Sequence, residues 1–157
     1  MLEFEHIVQV NDLENTSLIV LTRKQLWQGL VLRAQKPDKF IPGLQCTSEK
    51  MVDNQFLRTI EAGESSFCEQ VSLFPEDKIC TNTVANQQTK AQSIACIEEP
   101  ETGSLFVRFS YRRDLEAQGD QIDVGEHLKA AYVQIDRDAI SMIRMLAENK
   151  RFDETIN

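Results

Sequence analysis

The sequence lacks the segments that would mark a membrane protein, a nucleic-acid-binding protein or a secreted protein. Its apolar run at residues 17–21 is far shorter than the roughly 20 residues that span a bilayer. Basic side chains are adjacent in pairs at most, as at Arg112-Arg113, and the net charge is −8, which argues against nucleic acid or an anionic membrane as a partner. Residues 1–5 are acidic and lack a signal-peptide pattern. A cytoplasmic location is therefore the default expectation.

Motifs for metal binding, cofactor binding and hydrolysis are also missing. There is no CxxC pair, and His6 and His127 lie far in sequence from the four cysteines, which are Cys46, Cys68, Cys80 and Cys96. No GxSxG, HExxH, P-loop or GxGxxG pattern occurs. We therefore expect no metal and no cofactor, and we expect the cysteines to be reduced residues within strands.

The composition that is present is typical of a soluble globular domain. Hydrophobic residues make up 41% of the chain and charged residues 27%, both ordinary values. A chain of 157 residues is long enough for one domain with a substantial core. Because no repeat, linker or low-complexity tract interrupts the sequence, residues 1–157 are predicted to form a single domain.

The N-terminal part predicts one strand and two short helices. Residues 4–10 alternate in polarity, as a strand does. Thr22 and Gln25 have the capping-box spacing that begins a helix, and a proline ends it. Gly29 inside this helix predicts a close backbone approach, because glycine otherwise costs about 1 kcal/mol there relative to alanine. Residues 37–41 can form the second short helix.

From residue 44 to residue 112 the sequence predicts an antiparallel meander of strands. Turn residues recur at 53–54, 63–64, 75–77, 86–88 and 99–103. Glu98, Glu99 and Glu101 are interpreted as a solvated charge run in the last of these loops. The final strand has one apolar side, formed by Leu105, Val107, Phe109 and Tyr111. The loop at Pro75 can hold two, three or four residues, and each added residue flips the next strand, so the inward side around Cys80 stays open.

A long helix follows the strands. Apolar residues recur at helical spacing over about six turns, from near Asp123 to Asn149; they are Val124, Leu128, Ala131, Tyr132, Ile135, Ala139, Met142, Ile143 and Leu146. Such a stripe needs a wide apolar surface, and the concave side of the sheet is the candidate. The predicted fold class is α+β: a seven-stranded antiparallel sheet wrapped round a long C-terminal helix, with two short helices between strands 1 and 2. The gap between sheet and helix is a natural ligand cavity.

The turn at residues 63–64 decides which side chains of the central hairpin share a face. With glycine first, as a type II′ turn prefers, Arg58 faces Glu69, and Phe56 and Phe67 lie on the same side. An ionic pair thus lies within an apolar face. Arg58 can anchor a ligand oxygen while Glu69 holds its guanidinium, or the pair can be a closed structural salt bridge.

Other inward-facing side chains complete the predicted ligand site. The candidate ligand-binding residues are Arg58, Glu69, Phe56, Phe67, Phe109, Tyr111, Leu128 and Tyr132. Each buried tyrosine hydroxyl needs a partner, so Tyr111 and Tyr132 can bind a ligand or be satisfied within the core. His127 is the histidine nearest the predicted cavity, yet its position beside the helix stripe favours exposure. His6 is expected to be a neutral structural histidine, and Trp27 is expected to pack the first helix onto the sheet.

The order of elements resembles the helix-grip fold of the START-like (SRPBCC) superfamily, which includes the pathogenesis-related plant allergens. Residues 21–34 (LTRKQLWQGLVLRA), followed by Pro37 and residues 40–42, resemble the AtaL-like subfamily, as do residues 56–60 (FLRTI) and 69–71 (EQV). The likeness covers essentially the whole chain. It implies a hydrophobic cavity but no particular activity, because the superfamily contains binders, lipid carriers, cyclases and chaperone regulators.

Three functions are compatible with these features. The first, which we favour, is binding of a small hydrophobic ligand with Arg58 aimed at an anionic or carbonyl group; the absence of a nucleophile–base motif argues against a hydrolase but does not exclude the second. The second is a cyclase or dehydratase, in which Arg58 or Tyr111 polarises a carbonyl and Glu69 or His127 moves a proton. The third is an interaction module or homodimer formed through the outer face of the sheet, where the candidate contact residues are Phe106, Leu57 and Gln70.

Overall fold

The computed structural model describes residues 1–84, 90–114 and 121–149, and of residues 121–124 it describes the backbone alone. Within these ranges the elements follow one another in the predicted order. They are β1 (Leu2–Gln9), α1 (Arg23–Gln35), a 3₁₀ helix (Pro37–Lys39), β2 (Leu44–Ser48), β3 (Gln55–Ala62), β4 (Ser65–Phe74), β5 (Lys78–Thr83), β6 (Ala91–Glu101), β7 (Ser104–Arg113) and α2 (Gln121–Glu148). The predicted turn at residues 86–88 lies outside the described residues.

The seven described strands form one antiparallel sheet in the order β1-β7-β6-β5-β4-β3-β2. Strands β2 to β7 pair in chain order, each with the next. Strand β1 pairs with β7 and not with β2, beginning with Leu2 opposite Arg113. The helices α1 and α2 contact each other and lie on the concave side of the sheet, where the buried core residues are found. The predicted helix-grip α+β fold is therefore confirmed.

The central hairpin has the predicted register. Arg58 pairs with Glu69, and Ala62 pairs with Ser65 on either side of the turn. Gly63 has φ +61°, a left-handed conformation that glycine adopts without steric cost. The shared inward face of Arg58 and Glu69 thus follows from one glycine and the alternation of side chains.

The loop after β4 contains three residues, because Phe74 pairs with Lys78. This length places Ile79 and Thr81 on the buried side, and both are buried. Cys80 therefore points to the other side of the sheet. The four cysteines are free, and each is partly buried.

The interpretation of Glu98 and Glu99 as part of a solvated loop is wrong, whereas Glu101 is exposed as expected. Strand β6 continues to Glu101 through an irregular register between Glu98 and Glu101. Glu98 accepts a hydrogen bond from Arg108 Nε at 2.6 Å, and Glu99 accepts from the backbone N–H of Gly103 at 2.8 Å and from Arg23 at 3.1 Å. These donors stabilise the ionised carboxylates, so the pKa values of Glu98 and Glu99 lie below their usual range.

The helices α1 and α2 meet at Gly29, the glycine for which the sequence predicts a close approach. Thr22 caps α1 with Gln25 in the predicted capping box. A Cβ placed on Gly29 would lie 2.3 Å from Cγ2 of Ile143, which is fully buried on α2. The predicted close approach at Gly29 is confirmed, and its partner is a side chain of the long helix.

The buried stripe of α2 differs from the predicted one at several positions. Ala139, Ile143 and Leu146 are buried as predicted, but Ala131 is exposed, and Ile140 and Ala147 are buried although they were not predicted. Asp136, which the apolar pattern passed over, is fully buried. Within the described part of the chain, no helix combines the length and the apolar character needed to cross a membrane.

Candidate ligand cavity

A cavity of about 220 Å³ lies between the sheet and the helices, and we call it the main cavity. Most of its wall is apolar and comes from α1, the sheet and α2; these lining residues include Leu30, Ala34, Ile60, Ile79, Ala95, Phe109 and Ile135. Polar groups interrupt this wall at Arg33, Arg58, Thr81, Ser93, Tyr111 and Tyr132. The volume is below the roughly 300–1,000 Å³ of sites for drug-sized ligands, so the space suits a molecule of one or two rings.

A smaller cavity of about 120 Å³, the side cavity, adjoins the main cavity. The two share Ser93, Tyr111 and Tyr132 as lining residues, and the side cavity also reaches Glu69. The rings of Tyr111 and Tyr132 stack with their centroids 4.0 Å apart. A stacked pair of tyrosines therefore lies where the two spaces meet.

Asp136 is the centre of a buried polar cluster behind this wall. Its Oδ1 accepts from Nη2 of Arg33 at 2.7 Å, and its Oδ2 lies 2.6 Å from Nε2 of His6 and 2.5 Å from the Tyr111 hydroxyl. The four residues come from β1, α1, β7 and α2. We call them the Asp136 cluster. Two of its members, Arg33 and Tyr111, also line the main cavity.

The hydrogen-bond directions in the cluster follow from its contacts. Asp136 forms an ion pair with the guanidinium of Arg33 at 2.7 Å, and a carboxylate accepts hydrogen bonds but donates none. His6 Nε2 therefore carries a hydrogen, and the Tyr111 hydroxyl donates to Oδ2. Burial first, and then the negative charge of Asp136, raise the pKa of Tyr111 well above its usual range. Tyr111 is consequently a neutral phenol.

Arg58 has two partners in the protein. Its Nε and Nη2 lie 3.1 and 3.0 Å from Oε1 of Glu69, and its Nη1 donates to the carbonyl oxygen of Ala34 at 2.7 Å. Ala34 is in the last turn of α1, where carbonyl groups lack intrahelical donors. Arg58 thus ties the end of α1 to the hairpin while its side chain lines the main cavity.

The predicted site residues fall into three groups in the structure. Four line the main cavity: Arg58, Phe109, Tyr111 and Tyr132. Glu69 lines the side cavity. Phe56 is buried in the core, and Phe67 and Leu128 are partly buried away from the lining of both cavities. His127 is exposed on α2, so the structure does not place it as a proton donor or acceptor for this cavity.

Sequence reasoning missed Arg33 and Asp136. Two signals were present: Asp136 lies within the apolar stripe of α2, four residues after Tyr132 and three before Ala139, and His6 faces inward from β1. A buried carboxylate needs donors, so an acidic residue at a stripe position predicts basic or hydroxyl partners nearby. Arg33, on the adjoining helix, carries no such signal of its own.

The comparison with known protein families shows which family this chain belongs to. The family model described as acetylaranotin biosynthesis cluster protein L (AtaL) matches residues 8–150. The chain belongs to the AtaL family. The likeness to this family noted in residues 21–34 and 56–60 is thereby confirmed, and the main cavity and the Asp136 cluster are features of an AtaL-family protein. Among curated proteins, no sequence matches the chain.

Solved structures with the AtaL-family chain's fold include aromatase/cyclases and a human START protein. The di-domain aromatase/cyclase StfQ of the steffimycin biosynthetic pathway has a TM-score of 0.71 at 13% identity, covering 95% of this chain and 51% of that one. The Zhui aromatase/cyclase from Streptomyces sp. R1128 has a TM-score of 0.61 at 11% identity, covering 95% and 93%. Human STARD10 has a TM-score of 0.68 at 8% identity, covering 95% and 65%. The chain spans about half of the length of StfQ and about two thirds of STARD10. These likenesses show the START-like fold.

Proposed function

We propose that this protein binds a small, mostly apolar molecule of one or two rings in the main cavity. The observation that carries the proposal is the cavity itself: about 220 Å³ of space with an apolar wall, into which two arginines and two tyrosines are set. An apolar molecule gains by leaving water for such a wall, and the few polar groups fix its orientation. The AtaL family membership and the START-like neighbours support a binding role.

The polar part of the ligand would lie near Arg33 and Arg58. Arg58 already contacts Glu69 and Ala34, and Arg33 already contacts Asp136 and lies over the Phe109 ring, 5.6 Å from its centroid. Guanidinium groups held in this way keep a fixed direction and lose little entropy on binding. A carbonyl, carboxylate or similar oxygen of the ligand is the group that they would recognise.

Filling the cavity should abolish binding. Ala95 lines the main cavity from the middle of β6, and Ala95→Phe would place a ring in the space that the ligand occupies. We expect the affinity for 2-naphthol, a two-ring probe, to fall at least tenfold, measured by isothermal titration calorimetry. The matched control is Ala130→Phe on the exposed side of α2, which should bind as the wild type does.

Two outcomes would contradict the binding proposal. One is unchanged 2-naphthol affinity in a folded Ala95→Phe protein, which would place the probe elsewhere. The other is an absence of bound small molecules in native mass spectra of protein purified from its host, together with no binding of 2-naphthol. Circular dichroism of both variants checks that the added ring has not unfolded the chain, since overpacking a core costs about 1–3 kcal/mol.

A cyclase or dehydratase activity in the same cavity is the second candidate. It is favoured by the two arginines on the cavity wall, which are groups that polarise carbonyls, and by the aromatase/cyclase fold of StfQ and Zhui. Mass spectrometry of a bound ligand before and after incubation separates the two functions. A ligand returned with unchanged mass and unchanged structure supports binding, whereas loss of water or a new ring supports catalysis.

A further inference from the structure

The Tyr111 hydroxyl has its hydrogen committed to Asp136. The two oxygens are 2.5 Å apart, and the Asp136 carboxylate, which is paired with the guanidinium of Arg33 at 2.7 Å, has no hydrogen to give in return. The direction of this bond is therefore fixed: Tyr111 donates and Asp136 accepts. An ionised acceptor makes such a bond short and strong.

Turning the Tyr111 O–H towards the cavity would break this bond without a replacement. Oδ2 of Asp136 would keep His6 as a donor but lose the phenol, and Asp136 is fully buried. Removing a donor from a buried charged group is costly. Tyr111 also stays un-ionised, because burial and the adjacent carboxylate disfavour the phenolate. The Tyr111 oxygen thus keeps acceptor capacity and has no hydrogen to offer.

We propose that Tyr111 selects the ligand by accepting a hydrogen bond from it, so that the cavity prefers a hydroxyl-bearing aromatic molecule over its ether counterpart. The proposal rests on the proposed binding function and names the chemical class of the ligand. Tyr111 lines both the main and the side cavity, so a ligand in either space reaches its ring. A ligand hydroxyl placed against the Tyr111 oxygen would supply the missing hydrogen, whereas an ether oxygen placed there would face another oxygen with no hydrogen between them.

Tyr132 provides a matched comparison within the same stack. Its ring lies against that of Tyr111, with centroids 4.0 Å apart, and it lines the same two cavities. Its oxygen accepts from Nη1 of Arg113 at 3.4 Å, a role opposite to that of the Tyr111 hydroxyl. Tyr132→Phe removes one hydroxyl from a lining tyrosine, as Tyr111→Phe does, but it leaves in place the Tyr111 oxygen that is bound to Asp136.

The experiment compares 2-naphthol with 2-methoxynaphthalene by calorimetric titration at neutral pH, where 2-naphthol carries its hydrogen. We expect the affinity of the wild type for 2-naphthol to be about three- to tenfold higher than its affinity for 2-methoxynaphthalene, which is the contribution of one ordinary hydrogen bond. Tyr111→Phe should remove most of this preference, mainly by weakening 2-naphthol binding. Tyr132→Phe should keep it. The preference of the wild type is a readout that needs no variant to fold.

Failure of this proposal can be told apart from failure of the binding function. If both probes bind the wild type equally, or if folded Tyr111→Phe keeps the full preference, donor selection by Tyr111 is wrong and binding in the cavity stands. A preference lost in Tyr132→Phe but kept in Tyr111→Phe would transfer the role to Tyr132 and also overturn the proposal. If neither probe binds the wild type, both proposals fall together.

Discussion

Replacing Asp136 with asparagine should lower the free energy of unfolding by about 3 kcal/mol, the typical cost of breaking a buried ion pair. The amide that replaces the carboxylate has one oxygen and one NH₂ group. Turned one way, the NH₂ group meets the guanidinium of Arg33; turned the other way, it takes away the oxygen that accepts from His6 and Tyr111. The guanidinium of Arg33 also loses its counter-charge in a site where Asp136 is fully buried.

Urea denaturation followed by the fluorescence of Trp27, the single tryptophan, measures this loss. Asp138→Asn is the control, because Asp138 is exposed on the same helix and contacts Gln134. Surface substitutions of this kind change the free energy of unfolding by no more than about 0.5 kcal/mol. A loss below about 1 kcal/mol in Asp136→Asn would mean that the cluster contributes little to stability and that its charges are solvated.

Gly29→Ala should destabilise the protein by about 2 kcal/mol, even though alanine is the better helix former by about 1 kcal/mol. The new methyl group would lie 2.3 Å from Cγ2 and 2.7 Å from Cγ1 of Ile143. Ile143 is fully buried, so it cannot swing into solvent, and α1 and α2 must move apart. Separation of the helices would loosen the wall of the main cavity as well as the core.

A double-mutant cycle tests whether Ile143 is the cause. In an Ile143→Ala background the added methyl group has room, so the same Gly29→Ala change should be neutral or stabilising. Gln28→Ala, one residue earlier in α1, controls for helix propensity and should have little effect. Equal costs of Gly29→Ala in both backgrounds would show that the close contact with Ile143 does not carry the effect.

The sequence could predict the parts of this fold that depend on local rules. The hairpin register followed from Gly63, because a two-residue turn and the alternation of strand side chains leave one pairing, and the structure has it. The capping box at Thr22 and the close approach at Gly29 were likewise local signals with one physical cause each. The START-like arrangement came from the order of elements together with the family likeness.

The parts of the fold that the sequence did not predict depend on contacts between segments distant in sequence. The loop at Pro75 is compatible with several lengths, and only the pairing of Phe74 with Lys78 selects one. The acidic run near Pro100 was interpreted as a loop because its partners, Arg108 and Arg23, lie elsewhere in the chain.

The same reason explains the part of the site that was missed. A periodic pattern treats every charged residue as surface, so it passed over Asp136. Its partners are brought to it from 130, 103 and 25 residues away. Four of the predicted site residues do line the main cavity, and whether they contact a ligand stays a prediction.

The pairing of the first strand with the last has a consequence for synthesis. Strand β1 leaves the ribosome before strands β2 to β7, and its neighbour β7, whose Arg113 lies opposite Leu2, follows about a hundred residues later. At about 5–20 residues per second, β1 must wait several seconds with its backbone donors and acceptors unpaired. Such an edge can pair with other chains during that time. Newly made chains should therefore depend most on chaperones just before β7 emerges, and a circular permutant that places β1 after β7 should fold with less aggregation.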